Sequence, residues 1–312
     1  MMYLGIDTSN YTTSAALYNS GTGEVLQAAR LLPVKEGQLG LRQSDAVFAH
    51  VKALGGILEG LFAAQHKIAA VGVSATPCDA KGSYMPCFLA GEMAARSIGA
   101  AMGIPVHLFS HQRGHIAAAL YGAGRMDLAE KPFLAFHISG GTTECLAVEP
   151  DKALILRVLP LARSLDLHAG QAVDRVGAML GIRFPAGPGL EALAEKSDKT
   201  YRPKPKLKGM DCCLSGLENM CAKMISSGES PQDTARFCLD YLAHTVYEMA
   251  RLAADRYPGR EIVFAGGVMS NRIIRGFLER SFNCVFAPPR FSADNAAGVA
   301  WLAARSAAGF RI

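Results

Sequence analysis

Two histidines four residues apart, His111 and His115, carry the densest chemistry in this chain. On a helix they project from one face, a turn apart, where two neutral imidazoles can hold a divalent metal ion between them. The same spacing also suits a polar helix start with two unrelated rings. Gln112 stands where an H-E-x-x-H peptidase needs its glutamate, so the pair lacks that general base. Arg113 lies about 200° round the helix from His111 and need not point at a metal. Asp294 precedes an alanine-rich helical stretch near the end of the chain. A lone aspartate there is most often an N-cap, yet beside two histidines it is a candidate third ligand. A His-His-Asp set leaves positions open for substrate oxygens and suits zinc or iron better than magnesium.

A second kind of chemistry sits in two hairpin-like units. Tyr3 to Asp7 reads as a buried strand, Thr8 to Thr13 as a hydroxyl-rich turn, and Ser14 to Tyr18 as the returning strand. Such a turn can offer hydroxyls and N–H groups to a phosphate, and Asp7 to a metal. The layout recurs roughly 130 residues later, with strand Phe133–Ile138, turn Ser139-Gly140-Gly141-Thr142-Thr143 and return Glu144–Val148. Two glycines let the backbone approach an anion closely. The repeat predicts two related lobes with a nucleotide cleft between them. Near the end, strand Glu261–Ala265 runs into Gly266-Gly267, a turn suited to cradling a nucleotide. Asn271 there can bond a base or ribose, or cap the helix that follows.

The elements that must position these groups alternate along the chain. Helical periodicity covers 44–64, 86–102, 166–181 and 231–256, and strand patterns cover 69–75, 104–109 and 154–159. The strand at 104–109 delivers Ser110, a natural N-cap, directly before His111. Residues 121–131 read as the connection between lobes. Prolines 203 and 205 keep 196–208 extended, where six Lys and Arg surround Tyr201. That segment is either a solvated basic loop or a contact for a nucleic-acid backbone. With 312 residues, half apolar and 19% charged, the chain has room for two globular cores. No apolar run is long enough to span a bilayer and no signal-peptide pattern opens the chain. Eight cysteines without paired spacing imply free thiols in a reducing cytoplasm. A net charge of +5 is a weak pointer to an anionic partner.

Taken together, the motifs resemble those of the TsaD / Gcp family, the tRNA N6-adenosine threonylcarbamoyltransferases formerly labelled O-sialoglycoprotein endopeptidases. The matching stretches run in family order: GIDTS at 5–9, HQRGH at 111–115, SGG at 139–141, AGQAVDRVGAMLGIRFPAGP at 169–188, CLSGL at 213–217, AGGVMSNRIIR at 265–275 and ADNAAGVA at 293–300. The resemblance implies an α/β fold of two tandem ribonuclease-H-like lobes, as in the actin, sugar-kinase and chaperone-ATPase superfamily, with a nucleotide cleft between them. The lobes would span 1–128 and 129–312, the second carrying the nucleotide and metal site and its last helix able to pack back on the first. The resemblance makes His111, His115 and Asp294 ligands of one iron or zinc ion at the lobe interface. His137, Ile138, Ser139, Gly140 and Gly141 would meet the phosphate region of threonylcarbamoyl-AMP, and Asp174, Gly187 and Asn271 would line the nucleoside pocket. Asp7 is a candidate base for the attacking amine. The implied partners are tRNA, an adenine nucleotide and accessory subunits of a modification complex, in the cytoplasm and away from membranes.

Four departures from the family pattern stand out. Arg113 replaces an acidic residue, Asn10-Tyr11-Thr12 replaces a Cys-Asp-acid run, Thr142 replaces the histidine after the glycine pair, and Thr76-Pro77-Cys78-Asp79 replaces a Gly-Pro-Gly loop. They mark a divergent member. The transferase reading competes with that of a non-catalytic nucleotide-binding subunit of the same modification machinery.

Overall fold

The computed structural model describes residues 1–9, 11–33, 41–64, 66–292 and 296–309. In chain order the strands and helices begin with β1 (Met2–Asp7), β2 (Thr12–Asn19), β3 (Val25–Leu31), α1 (Gln43–Leu61), β4 (Ile68–Thr76), α2 (Phe88–Met102), β5 (Val106–Ser110) and α3 (His111–Gly122). A 3-10 turn at Met126–Glu130 leads to β6 (Phe133–Ile138), β7 (Thr143–Asp151), β8 (Ile155–Arg163), α4 (Ala169–Met179) and α5 (Gly187–Ala194). Then come β9 (Leu207–Lys208), β10 (Asp211–Cys212), α6 (Ser215–Ser226), α7 (Pro231–Arg256), β11 (Ile262–Ala265), α8 (Arg272–Glu279), β12 (Cys284–Phe286), α9 (Pro289–Ser292) and α10 (Ala296–Ala307).

These elements form two compact units. Unit 1 comprises 1–130, 150–157 and 290–312, and unit 2 comprises 131–149 and 158–289. Each has a five-stranded sheet with the same internal order, β3-β2-β1-β4-β5 in one and β8-β7-β6-β11-β12 in the other. In both, the first hairpin is antiparallel and the two later strands add in parallel. The duplicated hairpin legible in the sequence is therefore a duplicated sheet. Parallel strands need covered faces, which explains the near-continuous apolar runs of β4, β6 and β11.

In unit 1, Leu54, Ile57 and Leu61 of α1 recur at helical spacing and pack beneath Leu4, Ile6, Leu17, Val71 and Val73. The opposite face is closed by α10, whose residues 296–304 are all buried. This helix lies so near the sheet and α3 that a Cβ on Gly5 would strike the Ala296 carbonyl, and one on Gly298 the Gly114 carbonyl. In unit 2, Phe136, Phe264 and Phe286 stack across β6, β11 and β12, with ring centroids 5.1 and 4.9 Å apart. The sheet packs against α7, where Ser230 caps the helix and Pro231 opens it. No helix among the described residues is long and apolar enough to cross a membrane. All eight cysteines are free. Burial pushes Cys212 up to about 11 and Cys145 higher still, so these thiols stay protonated.

Candidate functional site

The glycine turn of unit 2 opens onto a cavity of about 590 Å³. Its walls come from the Ser139–Thr142 turn, the start of α4, the loop into α5 and the segment between β11 and α8. Four residues singled out from the sequence meet there: Gly140, Asp174, Gly187 and Asn271. The turn is tightly made. The Ser139 N–H donates to the Thr142 carbonyl at 2.7 Å, and the Ser139 hydroxyl accepts from the N–H groups of Gly141 and Thr142. Side chains at Gly140 and Gly141 would meet nothing within 4 Å, so the turn leaves open space beside its backbone. Gly170, at the start of α4, is different. A Cβ there would lie 2.6 Å from the Gly140 backbone, so the helix start and the turn hold each other in place.

Asp174 accepts from the Ala186 N–H at 2.9 Å and so fixes the loop that brings Gly187 to the cavity. Asn271 takes the capping option left open by the sequence, accepting from the N–H groups of Ile273 and Ile274 at 3.1 Å. The Gly-Gly turn opens a short 3-10 segment, Gly267–Ser270, rather than α8 itself. His137, Ile138, Ser139 and Gly141 belong to the strand and turn behind the cavity and are not among its lining residues. His137 faces Glu144 across the β6–β7 pair at 4.0 Å.

Sequence reading missed part of this wall. Arg272 donates to Glu191 through Nε at 2.6 Å and to Glu195 through Nη2 at 3.1 Å, and both Arg272 and Glu191 line the cavity. Phe184, 83% exposed, overhangs it. Ser270 is among the lining residues, and its hydroxyl oxygen is buried with no hydrogen-bond partner among the described residues. None of these contacts follows a local period, so only the AGGVMSNRIIR stretch signalled Ser270 and Arg272.

The histidine pair belongs to unit 1. Ser110 caps α3, its hydroxyl accepting from the Arg113 N–H, as its position before His111 implies. The two rings meet edge to face with centroids 4.4 Å apart. His111 Nδ1 lies 2.9 Å from Asp7 Oδ2. An ionised carboxylate only accepts, so His111 donates to it through Nδ1. This is the arrangement by which a carboxylate orients a metal-binding histidine, and the pair fits a divalent cation bound through nitrogen.

Asp294 lies outside the described residues, and among those described no three His, Cys, Asp or Glu residues converge on a metal position. The helix that follows it, α10, packs on α3 within unit 1.

Asp7 itself is 1% exposed. Burial works to raise its carboxyl, but the charge and hydrogen bond of His111, with Ser74 and Ser9, outweigh that and hold it at about 2. Accepting from His111 Nδ1 and from the Ser9 N–H, this carboxylate is placed to orient the His111 ring. Two hydroxyls of the first hairpin are taken up within unit 1. Thr8 donates to the Cys87 carbonyl and accepts from the Gly91 N–H, tying the turn to α2, while Thr13 pairs with His50.

Two of the sequence departures meet in space. Arg113 pairs with Asp79 at 2.9 Å, bonds the Leu154 carbonyl at 3.1 Å and lies against Ser110. The acid-to-arginine change and the altered loop at 76–79 thus meet in one ion pair.

Comparison with known proteins sets this geometry in context. The sequence profile of the TsaD family, tRNA N6-adenosine threonylcarbamoyltransferase, matches residues 43–301. A tRNA N6-adenosine threonylcarbamoyltransferase from Chelativorans sp. (strain BNC1) is 30% identical, over 96% of this chain and 87% of the relative. The chain belongs to the TsaD family. It is accordingly a transferase of the N6-adenosine threonylcarbamoyltransferase type. Solved structures give the fold. Component A of (R)-2-hydroxyglutaryl-CoA dehydratase from Acidaminococcus fermentans aligns with TM-score 0.60 at 16% identity, covering 99% of both chains. Full-length HypF in its phosphate- and nucleotide-bound form aligns at 0.61 and 12%, over 98% of this chain and 55% of that one. A ROK family glucokinase from Streptomyces griseus aligns at 0.51 and 14%, over 97% and 98%. The duplicated α/β architecture is that of the actin and sugar-kinase superfamily, as the sequence motifs implied.

Proposed function

We propose that this TsaD-family member transfers a threonylcarbamoyl group from threonylcarbamoyl-AMP to N6 of the adenosine beside the tRNA anticodon. The observation that carries this reading is the unit 2 cavity, where a glycine turn, Asp174, Gly187 and Asn271 converge. Its volume is of the size that holds a nucleotide-sized ligand. In this reading the Ser139–Gly141 backbone approaches the phosphate, unhindered by side chains at Gly140 and Gly141. The Glu191–Arg272 pair closes the rim, and Phe184 offers a ring face to the base. His137 and Ile138 act from behind, holding the turn at the end of β6.

His111, His115 and Asp294 would hold one iron or zinc ion, with Asp7 fixing the ring of His111. When bound, such an ion supplies positive charge that stabilises a phosphate leaving group. The reading makes tRNA and an adenine nucleotide the ligands, accessory subunits the further partners, and the cytoplasm the place of action.

The test is mass spectrometry of tRNA nucleosides from cells lacking this chain. Threonylcarbamoyladenosine falls and returns on complementation with wild type. An unchanged level in a genome without a second family member overturns the proposal.

A further inference from the structure

We propose that the extended segment Arg202–Lys208 is a preformed track for the phosphate backbone of an RNA acceptor; this rests on the tRNA reading above and assigns it a surface. Along 201–208 burial alternates residue by residue. Tyr201, Pro203, Pro205 and Leu207 are half-buried, whereas Arg202, Lys204, Lys206 and Lys208 are exposed. The prolines fix their own φ and push the residues before them, Arg202 and Lys204, into extended conformations. In an extended chain alternate residues share a side and stand about 6.6 Å apart. That matches the scale on which successive phosphates follow one another along a strand.

The track is rigid because its inner edge is tied down. The Tyr201 N–H donates to Asp240 at 2.8 Å, and the Tyr201 ring meets Phe237 edge to face at 5.4 Å. The Lys206 N–H donates to the Tyr241 hydroxyl at 3.3 Å, and the Lys206 carbonyl accepts from Cys213 at 3.0 Å. Leu207 and Lys208 then pair with β10. The four cations are thus carried on a backbone whose conformational entropy is already spent, which favours binding.

What sets these four cations apart is that they stand in one fixed row without an ion pair among them. Elsewhere on unit 2 several exposed cations are paired, Lys199 with Glu229 and Asp233, Arg175 with Glu218, Arg251 with Glu248 and Asp255, and Arg275 with Glu279, while others such as Arg183, Lys196 and Lys223 stand singly among the described residues. Among the described residues none of Arg202, Lys204, Lys206 and Lys208 makes an ion pair. Four like charges in a fixed row repel one another, and an anionic polymer laid along them removes that cost.

The experiment measures binding of unmodified tRNA by the full chain, by fluorescence anisotropy, between about 50 and 200 mM salt. Three variants accompany wild type: Lys204→Ala/Lys206→Ala/Lys208→Ala, the same three positions changed to Arg, and a control of equal charge loss, Lys52→Ala/Lys67→Ala/Lys223→Ala. The alanine track variant binds about tenfold or more weakly, and its plot of log affinity against log salt flattens by about 2 to 3. The arginine variant and the control keep the wild-type slope. Retained nucleotide binding and an unchanged melting temperature certify folding, and Lys204→Gln/Lys206→Gln/Lys208→Gln, which removes the same charges, takes its place if the alanine variant misfolds. Equal slopes in wild type and the alanine track variant overturn the track, as does an equal loss in the control. A wild type that binds nucleotide but no tRNA removes the acceptor reading itself, and the track with it.

Discussion

Replacing Arg113 by alanine breaks a contact that spans three parts of unit 1. The guanidinium reaches Asp79 through Nη2 and Nε at 2.9 and 3.1 Å and the Leu154 carbonyl through Nη1 at 3.1 Å. The Arg113 side chain is 9% exposed and that of Asp79 25%. Breaking a fully buried pair costs about 3–5 kcal/mol, whereas an exposed pair is worth about 0–1. With one partner buried and the other a quarter exposed, we expect Arg113→Ala to cost about 2–3 kcal/mol and Asp79→Ala about 1–2. The double variant should cost less than their sum by about 1–2 kcal/mol, because the second change then removes a group already unpaired. The chain's one tryptophan, Trp301, is buried in α10 of the same unit, so urea unfolding followed by its fluorescence reports this region directly. The coupling should persist in high salt, since a largely buried contact at 2.9 Å is poorly screened. Single-variant costs that add to within about 0.5 kcal/mol in the double variant would refute the pair as an energetic unit.

Gly170→Ala puts a methyl group 2.6 Å from the Gly140 backbone and should displace the glycine turn. Calorimetry should then show at least about tenfold weaker binding of an acyl-adenylate analogue, and unchanged affinity would detach the turn from the ligand. For Asp166, partial burial raises the carboxyl, but the Ser215 hydroxyl and the N–H groups of Leu214, Leu167 and Ser215 prevail and hold it at about 2. Its folded value lies below the unfolded one of about 3.9, so its stabilisation is complete at neutral pH and fades as pH falls from about 4 towards 2. Melting curves of wild type and Asp166→Asn should therefore differ at pH 7 and converge across that window; a constant gap would contradict this.

The sequence made the sheets legible because each buried strand is a short apolar run stopped by glycine or hydroxyl residues, and the second hairpin repeats the first. It made Gly140 legible because a glycine pair after a strand has few uses other than close backbone approach, whereas Asp174, Gly187 and the pocket role of Asn271 were legible only through the resemblance to the TsaD family. Contacts between distant elements were hidden. Asp7 and His111 are separated by 104 residues and Glu191 and Arg272 by 81, and neither pair has a periodic signature. Arg113 and Asp79 were each visible as departures, but their partnership depends on how β4 and α3 lie together. The two hairpins, alike in sequence layout, diverge in use. Ser139 shapes an open turn, whereas Thr8 is consumed in fastening α2.

The assembly of unit 1 from three separate stretches constrains how the chain is made. Its sheet is laid down by β1 to β5, but α10, which covers one face of that sheet, is translated only after unit 2. Until then the backbone around Gly5 lacks the helix that fits against it, and a nascent chain carries an open apolar face through most of synthesis. Closing a flexible loop of that length would cost about 5 kcal/mol beyond a constant. A unit 2 already folded shortens the effective loop, because domain ends usually emerge close together. Translation order thus favours unit 2 as the piece that matures first and returns α10 to its seat. Slowed synthesis between 158 and 289 would lengthen the period in which unit 1 depends on chaperones.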